Sequence, residues 1–128
     1  MAAHKLTLSV EGSGVSRTKD ISNTGGGVAL IDGETVATAE TDYEINFDLD
    51  VSACKSFYLE SDQDVTFETN DGTTPDNTIS LLANEPYVWQ TNSYDSFLLD
   101  TDVTSVFITN ASGSTATIYC VALFDATP

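Results

Sequence analysis

At 128 residues and 41% hydrophobic content, the chain is long enough to bury a core as one domain without metals or disulfides. It holds 20 acidic residues against four basic ones, for a formal net charge of −16, and no lysine or arginine follows Lys55. Nucleic acids and anionic membrane surfaces are therefore excluded as partners, because both demand clustered cations.

The chain opens on Met1-Ala2-Ala3-His4-Lys5 and passes straight into alternating Leu6, Leu8 and Val10. No apolar run of about 7–15 residues follows the lysine, so synthesis in the cytoplasm without a signal peptide is expected. No run reaches the roughly 18 residues of a membrane span. Cys54 and Cys120 should start reduced and read as two buried thiols, with their pairing left open. Residues 15–21 make a weaker strand, and Asn23-Thr24-Gly25-Gly26-Gly27 breaks the pattern. Segments 28–31 and 34–39 flank Asp32-Gly33, a dipeptide that favours a tight hairpin because glycine accepts positive φ. The one helix expected is short and covers 35–42.

Tyr43, Ile45, Phe47, Leu49 and Val51 alternate with Glu44, Asn46, Asp48 and Asp50. That is a half-buried strand with its apolar face inward, since a slip of one residue would bury the acids. Segments 56–60 and 65–69 read as a hairpin, and 70–77 as a loop. Strands over 78–82, 87–90, 96–99, 105–109 and 115–124 bring the total to about ten, at the spacing of a sandwich or barrel. Asp50-Val51-Ser52 before the hairpin 56–69 is echoed by Asp102-Val103-Thr104 before a second hairpin, 105–119. The fold class is all-β, an antiparallel and jelly-roll-like β-sandwich. It is a single domain over 1–128, of which 1–42 reads as an N-terminal arm for docking. Lys5, Arg17 and Lys19 lie in that arm, and they are proposed contacts to an acidic neighbour.

The residues argue against an enzyme. The only histidine, His4, sits beside the chain terminus, whereas nucleophilic catalysis needs a base held by a rigid shell. Gly25-Gly26-Gly27 lacks the Lys-Ser/Thr of a phosphate loop. No cofactor is implied. Weak calcium ligands are offered by Asp62, Asp64, Asp71 and Asp76, set against the plainer reading of a solvated acidic surface. Tyr87, Trp89, Tyr94 and Phe97 cluster, either as core or as an exposed platform for a sugar or a subunit contact. Tyr87 and Trp89 share one strand face and Val88 and Gln90 the other, and core is the favoured reading for Trp89.

Four segments carry a resemblance. They are Phe57-Tyr58-Leu59-Glu60-Ser61-Asp62-Gln63-Asp64-Val65-Thr66-Phe67-Glu68-Thr69-Asn70, Pro75-Asp76-Asn77-Thr78-Ile79-Ser80-Leu81, Pro86-Tyr87-Val88-Trp89 and Asp102-Val103-Thr104-Ser105-Val106-Phe107-Ile108-Thr109-Asn110-Ala111-Ser112-Gly113. In pattern the chain from Phe57 onward resembles small virion proteins of tailed phages, of the capsid decoration or cement type. That resemblance implies a non-enzymatic structural protein on the capsid exterior, made in the host cytoplasm. Its partners would be the major capsid protein and itself, as a homodimer or homotrimer. The alternative is a carbohydrate- or receptor-binding sandwich of a tail or adhesin, and a tail or head-completion component is a third reading.

Overall fold

A computed structural model of the chain describes residues 2–125. Ten strands follow one another: β1 (Ala2–Gly12), β2 (Val15–Gly25), β3 (Gly27–Val36), β4 (Tyr43–Leu49), β5 (Cys54–Ser61), β6 (Val65–Thr69), β7 (Thr78–Leu81), β8 (Tyr87–Gln90), β9 (Val103–Thr109) and β10 (Ala116–Phe124). Two four-stranded antiparallel sheets, ordered β3-β10-β5-β8 and β4-β9-β6-β7, form a β-sandwich. β1 and β2 form a separate ribbon, paired from Ala2↔Gly25 to Gly12↔Val15. Its turn, Ser13-Gly14, has positive φ at both positions, the twist that suits a two-residue hairpin.

Alternation places the core. Phe47 and Leu49 on β4, Phe57 and Leu59 on β5, Phe67 on β6, Val106 and Ile108 on β9, and Ile118 and Cys120 on β10 are all buried between the sheets. Tyr43, Ile45 and Val51 pack on the same core from its margin, so the inward face expected of β4 is present. Cys54 and Cys120 are free, buried thiols. Burial pushes Cys54 up to about 12 and Cys120 higher still, so neither is a ready nucleophile.

Several local expectations are corrected. The stretch 28–39 contains no Asp32-Gly33 hairpin. β3 runs through that dipeptide and pairs with β10 on both sides of a bulge, with Asp32 opposite Tyr119 and Glu34 opposite Ile118. Gly33, at φ +75°, supplies the positive φ that the bulge requires. The pairs 56–69 and 105–119 are not hairpins either. β5 and β6 lie in opposite sheets, as do β9 and β10, so each pair turns a corner of the sandwich. The two corners stack, β5 on β10 and β6 on β9, which is the physical content of the sequence echo. The echoed motifs touch: the Val51 N–H donates to Asp102 Oδ1 at 3.0 Å, while Asp50 Oδ1 accepts from Ser52.

No helix covers 35–42. Val36 ends a strand, and Ala39 and Asp42 have positive φ, which a helix does not allow. No strand covers 96–99. There the Leu98 N–H donates to the Tyr87 hydroxyl, and Phe97 stacks on Trp89 in place of a ladder. Of residues 1–42, β1 and β2 form the separate ribbon, which ends at Gly25, and β3 is a paired strand of the sandwich.

Asn110 locks the far end. It is wholly buried, and its Nδ2 donates to the carbonyls of Val36 and Ser114 while its Oδ1 accepts from the N–H and hydroxyl of Ser112. One side chain thereby satisfies the end of β3 and the β9–β10 loop.

Candidate interaction surface

Alternation gives the sheet β3-β10-β5-β8 an outward face, and its registers arrange that face in rows. Val28, Leu123, Ser56 and Gln90 form one row, then Leu30, Val121, Tyr58 and Val88, then Asp32, Tyr119 and Glu60. The face is apolar through its middle and acidic at one end. Tyr58 donates its hydroxyl to Glu60, and that bond pushes the phenol up to about 12.

The ribbon roots on this face. A Cβ on Gly25 would lie 2.5 Å from the Phe124 carbonyl oxygen, and one on Gly27 would lie 2.4 Å from the Phe124 ring. The triple glycine is the joint at which the ribbon leans on β10. From there the ribbon passes over β5 and towards β8. It buries Leu123 completely and Gln90 almost so, although both point away from the sandwich core. His4 is half-buried, paired with Asn23, and its Nδ1 is 3.2 Å from Ser56 Oγ. Burial lowers its pKa. The expected terminal looseness of His4 is thus corrected: it is a strand residue seated on β5.

Beneath the ribbon lie two crevices. One, of about 310 Å³, is lined by His4, Lys5, Asn23, Ser56, Tyr58 and Gln90 among others. The second, of about 430 Å³, lies between Leu6, Leu8 and Ile21 of the ribbon and the segment from Tyr87 to Asp95. Beyond Leu6 the ribbon is exposed. Its cross-strand pairs place Leu8 with Lys19 and Val10 with Arg17 on one face, while Lys5 pairs with Ser22 on the other. Arg17 and Lys19 make no ion pair among the described residues.

The structure therefore separates the seven residues expected to mark an interface. Lys5, Arg17 and Lys19 all lie on the ribbon, but on two faces. Tyr87, Trp89 and Phe97 form a cluster with Phe57 at one margin of the core: Trp89 and Phe97 stack at 4.3 Å, and Phe97 and Tyr87 meet Phe57 at 5.2 and 5.9 Å. All three remain half-buried. Tyr94 alone is fully exposed, at the rim of the larger crevice. Tyr87 and Trp89 line that same crevice with Tyr94, whereas Phe97 does not.

The candidate calcium ligands are also dispersed. Asp62 accepts from the Thr117 N–H, Asp64 from the Ala83 N–H, Asp71 from the N–H groups of Thr73 and Thr74, and Asp76 from the Asn70 amide. The hydrogen bonds from Thr73 and Thr74 hold the Asp71 pKa below its ordinary value. These carboxylates close turns and corners, and no group of three or more potential metal ligands is gathered among the described residues. Sequence reasoning missed Leu30, Tyr119 and Val121 as residues of the outward face. Their alternation with Ile31, Ile118, Cys120 and Ala122 was legible, but both faces of these strands are apolar. No family model, curated protein or solved structure matches the chain.

Proposed function

We propose that this chain is a structural virion protein, a cement or decoration protein that binds the assembled head of a tailed phage and stabilises it. The observation that carries the reading is the two-part build: a sandwich body bearing nearly all the acid, and a projecting ribbon bearing three of the four cations. The resemblance from Phe57 onward points the same way. We read the strand order, with a change of sheet at every connection after β3 except β6–β7, as a jelly roll. Lys5, Arg17 and Lys19 are the docking cations, set against an acidic neighbour that is either a sister subunit or the shell, while the rest of the acidic body faces solvent and keeps particles apart by repulsion. The partners are the major capsid protein and other copies of the chain, as a dimer or trimer on the capsid exterior. A protein that binds only the assembled shell stabilises it by mass action.

No catalytic role is proposed. His4 and Ser56 are within hydrogen-bond reach, but no carboxylate orients the other ring nitrogen among the described residues.

Purified particles should contain the chain, and heads assembled without it should release DNA at a lower temperature than heads to which it is added back. Its absence from purified particles overturns the reading. A second reading, a carbohydrate-binding module, is favoured by one observation: Tyr94 stands fully exposed beside an open crevice. Glycan binding lost on Tyr94→Ala would select it.

A further inference from the structure

Two exposed surfaces of this molecule match each other. The first is the distal face of the ribbon, where Leu8, at the mouth of the larger crevice, Val10 and Val15 are 51%, 69% and 54% exposed, with Lys19 and Arg17 directly across from Leu8 and Val10. The second is the free part of the outward face on β3 and β10. There Val28, Leu30 and Tyr119 are 45%, 55% and 43% exposed, and Tyr119 is flanked across its two ladders by Asp32 and Glu60. Each is a short apolar strip with a charged margin, and the margins are opposite in sign.

The ribbon does not reach the second strip of its own chain. It roots at Gly25 against Phe124 and runs over β5 towards β8 and the segment 92–95, whereas β3 is at the opposite edge of the sheet. A lone two-stranded ribbon in water has little stability of its own, and one with an apolar face has a further reason to be covered. Charge selects the cover. Residues 2–25 hold three of the four cations and two of the 20 acids, so the remainder of the molecule is overwhelmingly acidic.

We propose that the occupant is a second copy of this chain: the distal ribbon of one copy lies on the β3–β10 strip of its neighbour, with Leu8, Val10 and Val15 against Val28, Leu30 and Tyr119, and with Arg17 and Lys19 beside Asp32 and Glu60. When the exchange is reciprocal the contact is the self-complementary one of a two-fold dimer. The inference deepens the oligomeric part of the reading above. It is tested without any particle, so its failure leaves shell binding to be judged separately.

The test uses the full chain and two variants whose changes are all at exposed positions. The donor variant is Leu8→Asp with Val10→Asp, and the acceptor variant is Leu30→Asp with Tyr119→Asp. Light scattering at micromolar concentration should give an oligomer for the wild type. Each variant, with an unchanged circular dichroism spectrum, should be monomeric, its dissociation constant raised at least about thirtyfold. Mixed in equal amounts, the two variants should form a heterodimer, because the acceptor variant keeps an intact ribbon and the donor variant an intact strip. Arg17→Glu with Lys19→Glu should weaken assembly more at low salt than at high, and adding Asp32→Lys with Glu60→Lys should restore it. A monomeric wild type, or a folded donor variant with wild-type mass, overturns the proposal. So does a mixture of the two variants that stays monomeric.

Discussion

β4 and β1 are written in the same pattern, yet they end in opposite environments. On β4, Ile45, Phe47 and Leu49 alternate with polar residues, and the opposing sheet leaves Phe47 and Leu49 3% exposed each. On β1, Leu6, Leu8 and Val10 alternate just as regularly, yet Leu8 borders only an open crevice and Leu8 and Val10 stay 51% and 69% exposed. The difference teaches that alternation specifies a strand with one apolar face but is silent about what buries that face. In the sandwich the burying surface lies in the same molecule. For the ribbon, the molecule itself supplies a cover only at the base.

The comparison is broken or sharpened most strongly at the core. Phe67 is wholly buried, and Phe67→Ala should cost about 3–5 kcal/mol of unfolding free energy. Leu8→Ala, studied at concentrations below assembly, should change it by no more than about 0.5 kcal/mol. Equal losses in denaturant titrations would show that the ribbon is part of the core and end the distinction.

Asn110→Ala is expected to cost about 1–3 kcal/mol, because it removes the amide that donates to the buried Val36 carbonyl and ties the β9–β10 loop to the end of β3. Thermal unfolding measures this directly. A loss below about 1 kcal/mol would mean that water replaces the amide there.

Gly25→Ala tests the joint between the two regions. The added methyl meets a backbone oxygen of β10 that has no room to yield, which should cost about 1–3 kcal/mol if the ribbon stays seated. If the ribbon lifts instead, hydrogen exchange should rise across 2–25 while protection in β5, β6, β9 and β10 persists. Unchanged exchange together with unchanged stability would refute the close contact at the root.

The smallest effect concerns pH. Burial lowers the His4 pKa, so the seated ribbon disfavours the protonated ring. Its contribution to seating is complete above the free-histidine value of about 6.5 and is lost progressively as pH falls through that value towards the lower, seated pKa. Exchange in β1 should therefore quicken on acidification, more than in the sandwich, and His4→Gln should remove the difference. Lys5 is the other charged side chain lining this crevice.

How much of this was legible differs from element to element. Tyr43–Leu49 declared both its conformation and its buried face, because its polar positions are strongly acidic and tolerate only one orientation. The Asp32-Gly33 dipeptide declared a positive φ but not its use, since a hairpin and a bulge demand the same backbone of glycine. The corners at 61–64 and 110–115 carry turn residues of the kind that close hairpins, and local chemistry does not say whether the next strand returns to the same sheet. In the candidate surface, the cations of the ribbon were visible from the start. Its acceptor strip was not, because Leu30, Tyr119 and Val121 look like core residues until the ladders assign them outward.

The sequence by itself determined that this is an acidic all-β protein, since charge and alternation are properties of each segment alone. Only the tertiary structure decided which strands share a sheet, which apolar face is left over, and where the few cations stand relative to it. Those outcomes depend on contacts between residues distant in the chain, such as β3 with β10 and His4 with Ser56, and no local pattern encodes the partner of a long-range contact.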